Sequence, residues 1–177
     1  MRLFVAINFN ESIKNKIQKV IRELKKTSTQ GKFISNEHMH LTLEFLGEIP
    51  ADKVAIIKDA MDQVSSELFT MELAGVGFFK RSEGDIYWLG IEENEMLLKT
   101  QAKLHEQLIK KGFKLESRPY MPHLTIGRKV KMEENFSLDN FSKSDANISI
   151  NIDMIDLMKS EQINGKLVHS IIYTKRL

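Results

Sequence analysis

The chain contains no cysteine. That absence removes disulfides, zinc–thiolate sites, iron–sulfur clusters and cysteine nucleophiles together. Proline is nearly as scarce: it occurs only at Pro50, Pro119 and Pro122, so no Pro-rich linker divides the chain. Apolar runs last only a few residues, which leaves no candidate for a membrane-spanning helix. An excess of one charge is missing too. Twenty-six basic residues stand against twenty-four acidic ones, for a net charge of +2. This is too weak a bias to hold nucleic acid by bulk charge. The N-terminal stretch MRLFVAINFN passes straight from Met into a strand-like run and has no small-residue cleavage site. No secretory signal is expected there, and a cytoplasmic protein is. Neither a P-loop nor a GxGxxG fingerprint occurs, so a dinucleotide-binding reading has no motif behind it.

What remains is an ordinary globular composition of 177 residues, 42% hydrophobic and 28% charged. That length suits one large domain or two small lobes, with roughly 70% of the unfolded surface buried on folding. Periodicity predicts strands at 2–9, within 32–46, at 69–79, 85–91, 120–128, 147–158 and 166–176. It predicts amphipathic helices at about 12–26, 50–68 and 95–111. Asn94 is placed to cap the last helix and Gly112 to stop it. Residues 129–146 read as a polar loop, and Asn164-Gly165 as a hairpin turn. Strands and helices alternate early and paired strands dominate the end, which favours α+β or mixed α/β over a doubly wound sheet.

Five histidines are present, and two of them begin the same tetrapeptide. His40-Leu41-Thr42-Leu43 is echoed 83 residues on by His123-Leu124-Thr125-Ile126. Each copy lies in a predicted strand, and one copy per half favours two similar lobes facing one another. On a strand, residues i and i+2 share a face. His40 and Thr42 therefore stand side by side, as do His123 and Thr125, while the Leu and Ile residues between them point into a core. Lobes paired across a cleft would gather two imidazoles and two hydroxyls in one small volume.

Two histidines and two hydroxyls suit acid–base cleavage of a phosphodiester. One neutral imidazole takes a proton from water as it attacks phosphorus, and the other, as imidazolium, protonates the leaving ribose oxygen. Each such group contributes about 10²–10⁴ in rate, so two together lower the barrier by roughly 5–11 kcal/mol if additive. The threonine hydroxyls can donate to the phosphate oxygens where charge sits in the transition state. Arg128, five residues after His123, can meet a phosphate with two parallel hydrogen bonds.

These residues resemble the two-histidine (2H) phosphoesterase superfamily and, within it, the RNA 2′,3′-cyclic phosphodiesterases, also called the 2′-5′ RNA ligase family. The likeness is carried by Arg2–Ile7, by His40-Leu41-Thr42-Leu43-Glu44-Phe45-Leu46-Gly47-Glu48, by Ile86–Ile91 and by Arg118-Pro119-Tyr120-Met121-Pro122-His123-Leu124-Thr125-Ile126-Gly127-Arg128. It spans nearly the whole chain and is least distinctive at the C-terminus. It implies one bilobal α+β domain over residues 1–177, with two pseudo-symmetric, antiparallel-rich sheets, flanking helices and a central cleft. Each lobe contributes one His-x-Thr-x motif. It also implies hydrolysis of RNA-terminal 2′,3′-cyclic phosphates to 2′-phosphates without metal or cofactor, by a monomer acting on RNA ends or nucleoside cyclic phosphates. His40 would be the proton donor and His123 the acceptor, with Thr42, Thr125 and Arg128 on the phosphate. Joining of RNA ends through a 2′-5′ bond is the reverse reaction in the family. Two other readings share the motifs: another small cyclic phosphate or 2′-5′ oligonucleotide as substrate, or a non-catalytic RNA-binding module.

The other histidines read more plainly. His38 shares a face with His40, but no further ligand stands at metal-binding spacing, so it reads as a rim residue. His105 reads as peripheral on its helix, and His169 as structural, a place in the cleft being its alternative. Phe9, Tyr87, Trp88 and Tyr120 are candidates to stack on a nucleobase, Tyr120 first among them.

Overall fold

A computed structural model describes residues 1–142 and 148–177. In chain order the described elements are β1 (Arg2–Asn8), α1 (Glu11–Lys26), β2 (Ser28–Phe33), β3 (His40–Glu48), α2 (Val54–Asp62), β4 (Phe69–Phe79), β5 (Asp85–Ile91), α3 (Glu95–Lys110), β6 (His123–Met132), α4 (Leu138–Ser142), β7 (Ile148–Ile152), β8 (Met154–Ile163) and β9 (Lys166–Arg176). The strands form two sheets, ordered β3-β1-β8-β9 and β2-β6-β5-β4-β7, and every pairing is antiparallel. The fold is α+β, as expected, with one motif strand in each sheet. The lobes are not sequence halves, however. β8 and β9 return to the sheet of the first motif, and β2 crosses to the sheet of the second.

Local chemistry explains most element ends. Asn10 caps α1 by accepting from the Ile13 N–H at 2.9 Å, and Asn94 caps α3 through the Leu97 N–H at 2.9 Å. Gly112 ends α3 at φ 86°, a conformation that glycine adopts without a steric penalty. Asn164 and Gly165 both have positive φ, 51° and 74°, and close the tight β8–β9 hairpin. β6 begins at His123 rather than at residue 120 because Pro119 and Pro122 have no N–H to give to a ladder.

Four expectations are corrected. β2, Ser-Thr-Gln-Gly-Lys-Phe, is a polar edge strand paired only with β6, so its sequence carries no buried face to read. The second helix is shorter than 50–68. It ends at Asp62, and the segment beyond is held instead by Ser66 Oγ against Thr100 Oγ1 at 2.9 Å and by Lys103 Nζ donating to the Ser65 carbonyl at 2.7 Å. The expected loop at 129–146 continues β6 to Met132 and contains α4, while residues 143–146 lie outside the described ones. The strand expected at 147–158 is two, β7 and β8, broken at Asp153; residue 147 lies outside the described ones.

The main core joins the helices to both sheets, with Leu3, Val5, Ile7, Ile17, Leu41, Leu43, Leu104, Leu124 and Ile126 all almost fully buried. A second, small cluster of Phe4, Ala6 and Met158 lies apart from it. By strand alternation these residues cover the opposite face of the first sheet, the face of His40 and Thr42. No helix among the described residues is long and apolar enough to cross a membrane.

Candidate active site

The two motif strands are built alike. Over their first five positions β3 and β6 share one burial sequence: half-buried His, buried Leu, half-buried Thr, then two buried residues. Period-two alternation accounts for the first four. The fifth marks a bulge. Val5 pairs with Glu44 and Ala6 with Thr42, so Leu43 is the extra residue on β3. Trp88 pairs with Thr125 and Tyr87 with Gly127, so Ile126 is the extra residue on β6. The residue after the threonine is bulged in both motifs, and two consecutive residues then point into the core.

The bulge decides where the next side chains go. Strict alternation would turn Arg128, five residues after His123, away from the histidine. With Ile126 inserted, Gly127 faces the core, where an added Cβ would meet Val130 and Phe33. Arg128, exposed, comes round to the side of His123 and Thr125. On β3 the same device buries Glu44 and brings Phe45, 57% exposed, to the side of His40 and Thr42. The bulge is thus what sets Arg128 on the same face of β6 as His123 and Thr125.

The strands β3 and β6 touch. The Tyr120 hydroxyl, just upstream of the second motif, donates to the Thr42 carbonyl of the first at 3.0 Å. Burial, and then the Glu44 carboxylate, raise the Tyr120 hydroxyl well above the usual tyrosine range, so it stays a donor. Tyr120 thus bridges the two motifs by its hydroxyl while its ring packs partly against the core.

The two histidines have different surroundings. His123 Nδ1 lies 2.8 Å from the Met121 carbonyl. A carbonyl only accepts, so the proton is on Nδ1 and Nε2 carries the lone pair of the neutral ring. Phe79 meets the His123 ring edge-on at 5.4 Å, and Trp88 lies 6.4 Å away. The Trp88 indole lies across Gly77, whose absent Cβ would stand 2.2 Å from it. His40 is enclosed by rings: Phe4 at 4.8 Å and His169 at 5.2 Å. Burial first, then the His169 and His38 imidazoles, push His40 down from 6.5 to about 4.

Several sequence readings change here. His38 is more than a rim residue: its ring meets His169 edge-on at 4.9 Å, and its Nδ1 is buried with no partner among the described residues. His169 reaches the site, because the β8–β9 register sets it opposite Ser160 and against Phe4 and His40. His105 is not peripheral. Its Nδ1 meets the buried Glu44 carboxylate at 2.8 Å, beside Gln101 Nε2 at 3.2 Å, behind the first motif. Phe9 is buried in the core, and Tyr87 stacks on Phe78 at 5.4 Å, on the face of the sheet away from His123. Trp88, with the unforeseen Phe79, is on the His123 side. Only the Trp88–Thr125 and Gly77–Trp88 registers reveal this, and neither is legible without the fold. Among the described residues, no three His, Asp or Glu side chains gather as metal ligands.

Comparison with known proteins gives the family and the fold. Residues 12–164 match the family model of the 2′-5′ RNA ligase superfamily. The RNA 2′,3′-cyclic phosphodiesterase of Thermotoga maritima is 36% identical over 131 residues, 72% of this chain and 70% of that one. That of Methanocaldococcus jannaschii is 36% identical over 136 residues, covering 76% and 75%. That of Escherichia coli is 30% identical over 128 residues, covering 72% and 71%. The solved structure of E. coli LigT complexed with 3′-AMP superposes with a TM-score of 0.83 at 24% identity, over 99% of this chain and 97% of that one. At that identity the likeness is one of fold.

Proposed function

The chain belongs to the 2′-5′ RNA ligase superfamily, and on that premise we propose that it hydrolyses 2′,3′-cyclic phosphates at RNA ends, or on nucleosides, to 2′-phosphates. The relatives named RNA 2′,3′-cyclic phosphodiesterase support the substrate class. The observation that carries the reading is the matched pair of strands. β3 and β6 each present His and Thr on one face, bulge at the next residue, and touch across the two sheets. The two lobes act as one unit over residues 1–177.

In the proposed reaction His123 Nε2 takes a proton from water as the water oxygen bonds to phosphorus. The bond from phosphorus to the ribose 3′ oxygen breaks, and His40 gives that oxygen its proton. The Nδ1 contact with Met121 supports the base role because, in the neutral ring, it puts the lone pair on Nε2. Thr42, Thr125 and Arg128 hold the phosphate oxygens and offset the charge that grows on them. No metal takes part. Joining RNA ends through a 2′-5′ bond follows the same path with a 5′-hydroxyl in place of water: His123 takes the hydroxyl proton, the bond from phosphorus to the 3′ oxygen breaks, and His40 protonates that oxygen.

The test is turnover of adenosine 2′,3′-cyclic phosphate by the wild type and by His40→Ala and His123→Ala. The expected result is adenosine 2′-phosphate as product, a fall of about 10²–10⁴ in kcat for each variant, and no effect of EDTA. Near-normal turnover in either folded variant overturns the assignment.

A further inference from the structure

His40 is the centre of a group of imidazoles that the reaction as described does not use. His169, on β9, meets His40 edge-on at 5.2 Å and His38 edge-on at 4.9 Å. Phe4 closes the remaining side, 4.8 Å from His40 and 5.2 Å from His169. Among the described residues, the Nδ1 atoms of His38 and His169 are buried and find no hydrogen-bond partner.

The groups facing His40 carry no negative charge to its ring. From β1 come Phe4 and, as cross-strand neighbour, Asn8. The turn at 36–38 brings His38 and β9 brings His169. Asp156, on β8, reaches this face through Asn8. Its carboxylate accepts from Asn8 Nδ2 at 2.8 Å and from Thr174 Oγ1 at 2.5 Å. A general acid needs a proton, yet the rings against His40 are Phe4 and His169, with His38 beyond, and among the described residues none of its ring contacts is a carboxylate that would hold its imidazolium.

Resting on the reading above, we propose that His169 is a positioning residue for His40: edge-on between His40 and His38, it fixes the ring and denies it a resident counter-charge, so that His40 takes up its proton only together with an anionic phosphate. The depression of His40 to about 4 accords with this, burial being its largest cause and His169 the next. The substrate's own negative charge then supplies the missing partner, and the acid is armed only in the occupied site. An empty site would hold a neutral histidine.

The experiment follows the His40 Cε1–H resonance against pH in the full-length protein, free and with adenosine 2′-monophosphate. It is repeated in His169→Phe and His169→Ala. In the free wild type His40 should stay neutral to well below the ordinary histidine range, and the nucleotide should move its titration upward. His169→Phe keeps the ring packing and removes the second imidazole; it should raise the free His40 titration. His169→Ala also admits water and should raise it further, towards 6.5. The acid limb of kcat/KM, which reports the free enzyme, should move up in the same order. His40 titrating as an ordinary histidine in the free wild type, or unmoved by both substitutions, overturns the proposal. If the wild type fails to turn over the cyclic phosphate, the hydrolytic reading fails, while the resonance still decides the role of His169.

Discussion

The Tyr120 hydroxyl donates to the Thr42 carbonyl oxygen across 78 residues of chain, at 3.0 Å. It ties the segment entering the second motif to the backbone of the first. Tyr120→Phe removes only this donor and leaves a part-buried carbonyl without it. The expected loss of stability is about 1 kcal/mol. Activity should fall more than stability alone explains, because the spacing of the two motifs is loosened. The check is kcat and KM for adenosine 2′,3′-cyclic phosphate beside urea denaturation. A role for Tyr120 in base stacking gives the opposite pattern: Phe preserves KM and Leu raises it.

Glu44 shows how far the motif's surroundings were readable. The bulge at Leu43 turns it backwards onto α3, where His105 and Gln101 satisfy it. His105→Ala strips one partner from a carboxylate that is 7% exposed. The expected loss is about 1–3 kcal/mol, seen as a lower urea midpoint with unchanged slope. His40 and His123 do not contact His105, so kcat should change little at temperatures where the variant is folded.

The repeated tetrapeptide was legible because strand alternation is a local rule, and it held for His40 through Leu43 and for His123 through Ile126. The caps at Asn10 and Asn94 and the turn at Asn164-Gly165 were legible for the same reason. What escaped reading depends on pairing. The bulges that turn Arg128 to the face of His123 and send Glu44 away are visible only when β3 lies against β1 and β6 against β5. His169 arrives from the far end of the chain through the β8–β9 register. β2 buries no face at all, so its composition could not announce it.

Gly77 shows another such dependence. It pairs with Trp88, and an added Cβ would lie 2.2 Å from the indole. Gly77→Ala must therefore displace Trp88, which lies beside Phe79 and His123. Trp88 is the chain's single tryptophan, so its fluorescence reports the displacement directly. The expected result is a changed emission spectrum, a loss of about 1–3 kcal/mol in stability and a reduced kcat. An unchanged spectrum with full activity would show that the indole does not lie across Gly77 as described.

The enclosure of His40 also makes stability depend on pH, with a definite sign. Above 6.5, the unfolded value, the ring is neutral in both states and the full stability is present. As pH falls from 6.5 to about 4, the unfolded chain accepts a proton that the folded ring refuses. Stability therefore drops through that window and levels off below it. The depression corresponds to about 3 kcal/mol as an upper estimate. Burial and His38 also push His169 down, so its contribution has the same sign. Carboxylates titrate over part of this range, so the measurement is a comparison. Unfolding free energy is followed from pH 7.5 to 4 for the wild type and for His40→Gln, which cannot take the proton. The wild type should lose more stability than the variant, and most of the difference should develop between pH 6.5 and 4. Parallel curves would mean that His40 is as open to protonation in the folded chain as in the unfolded one, and that the rings around it do not hold it neutral.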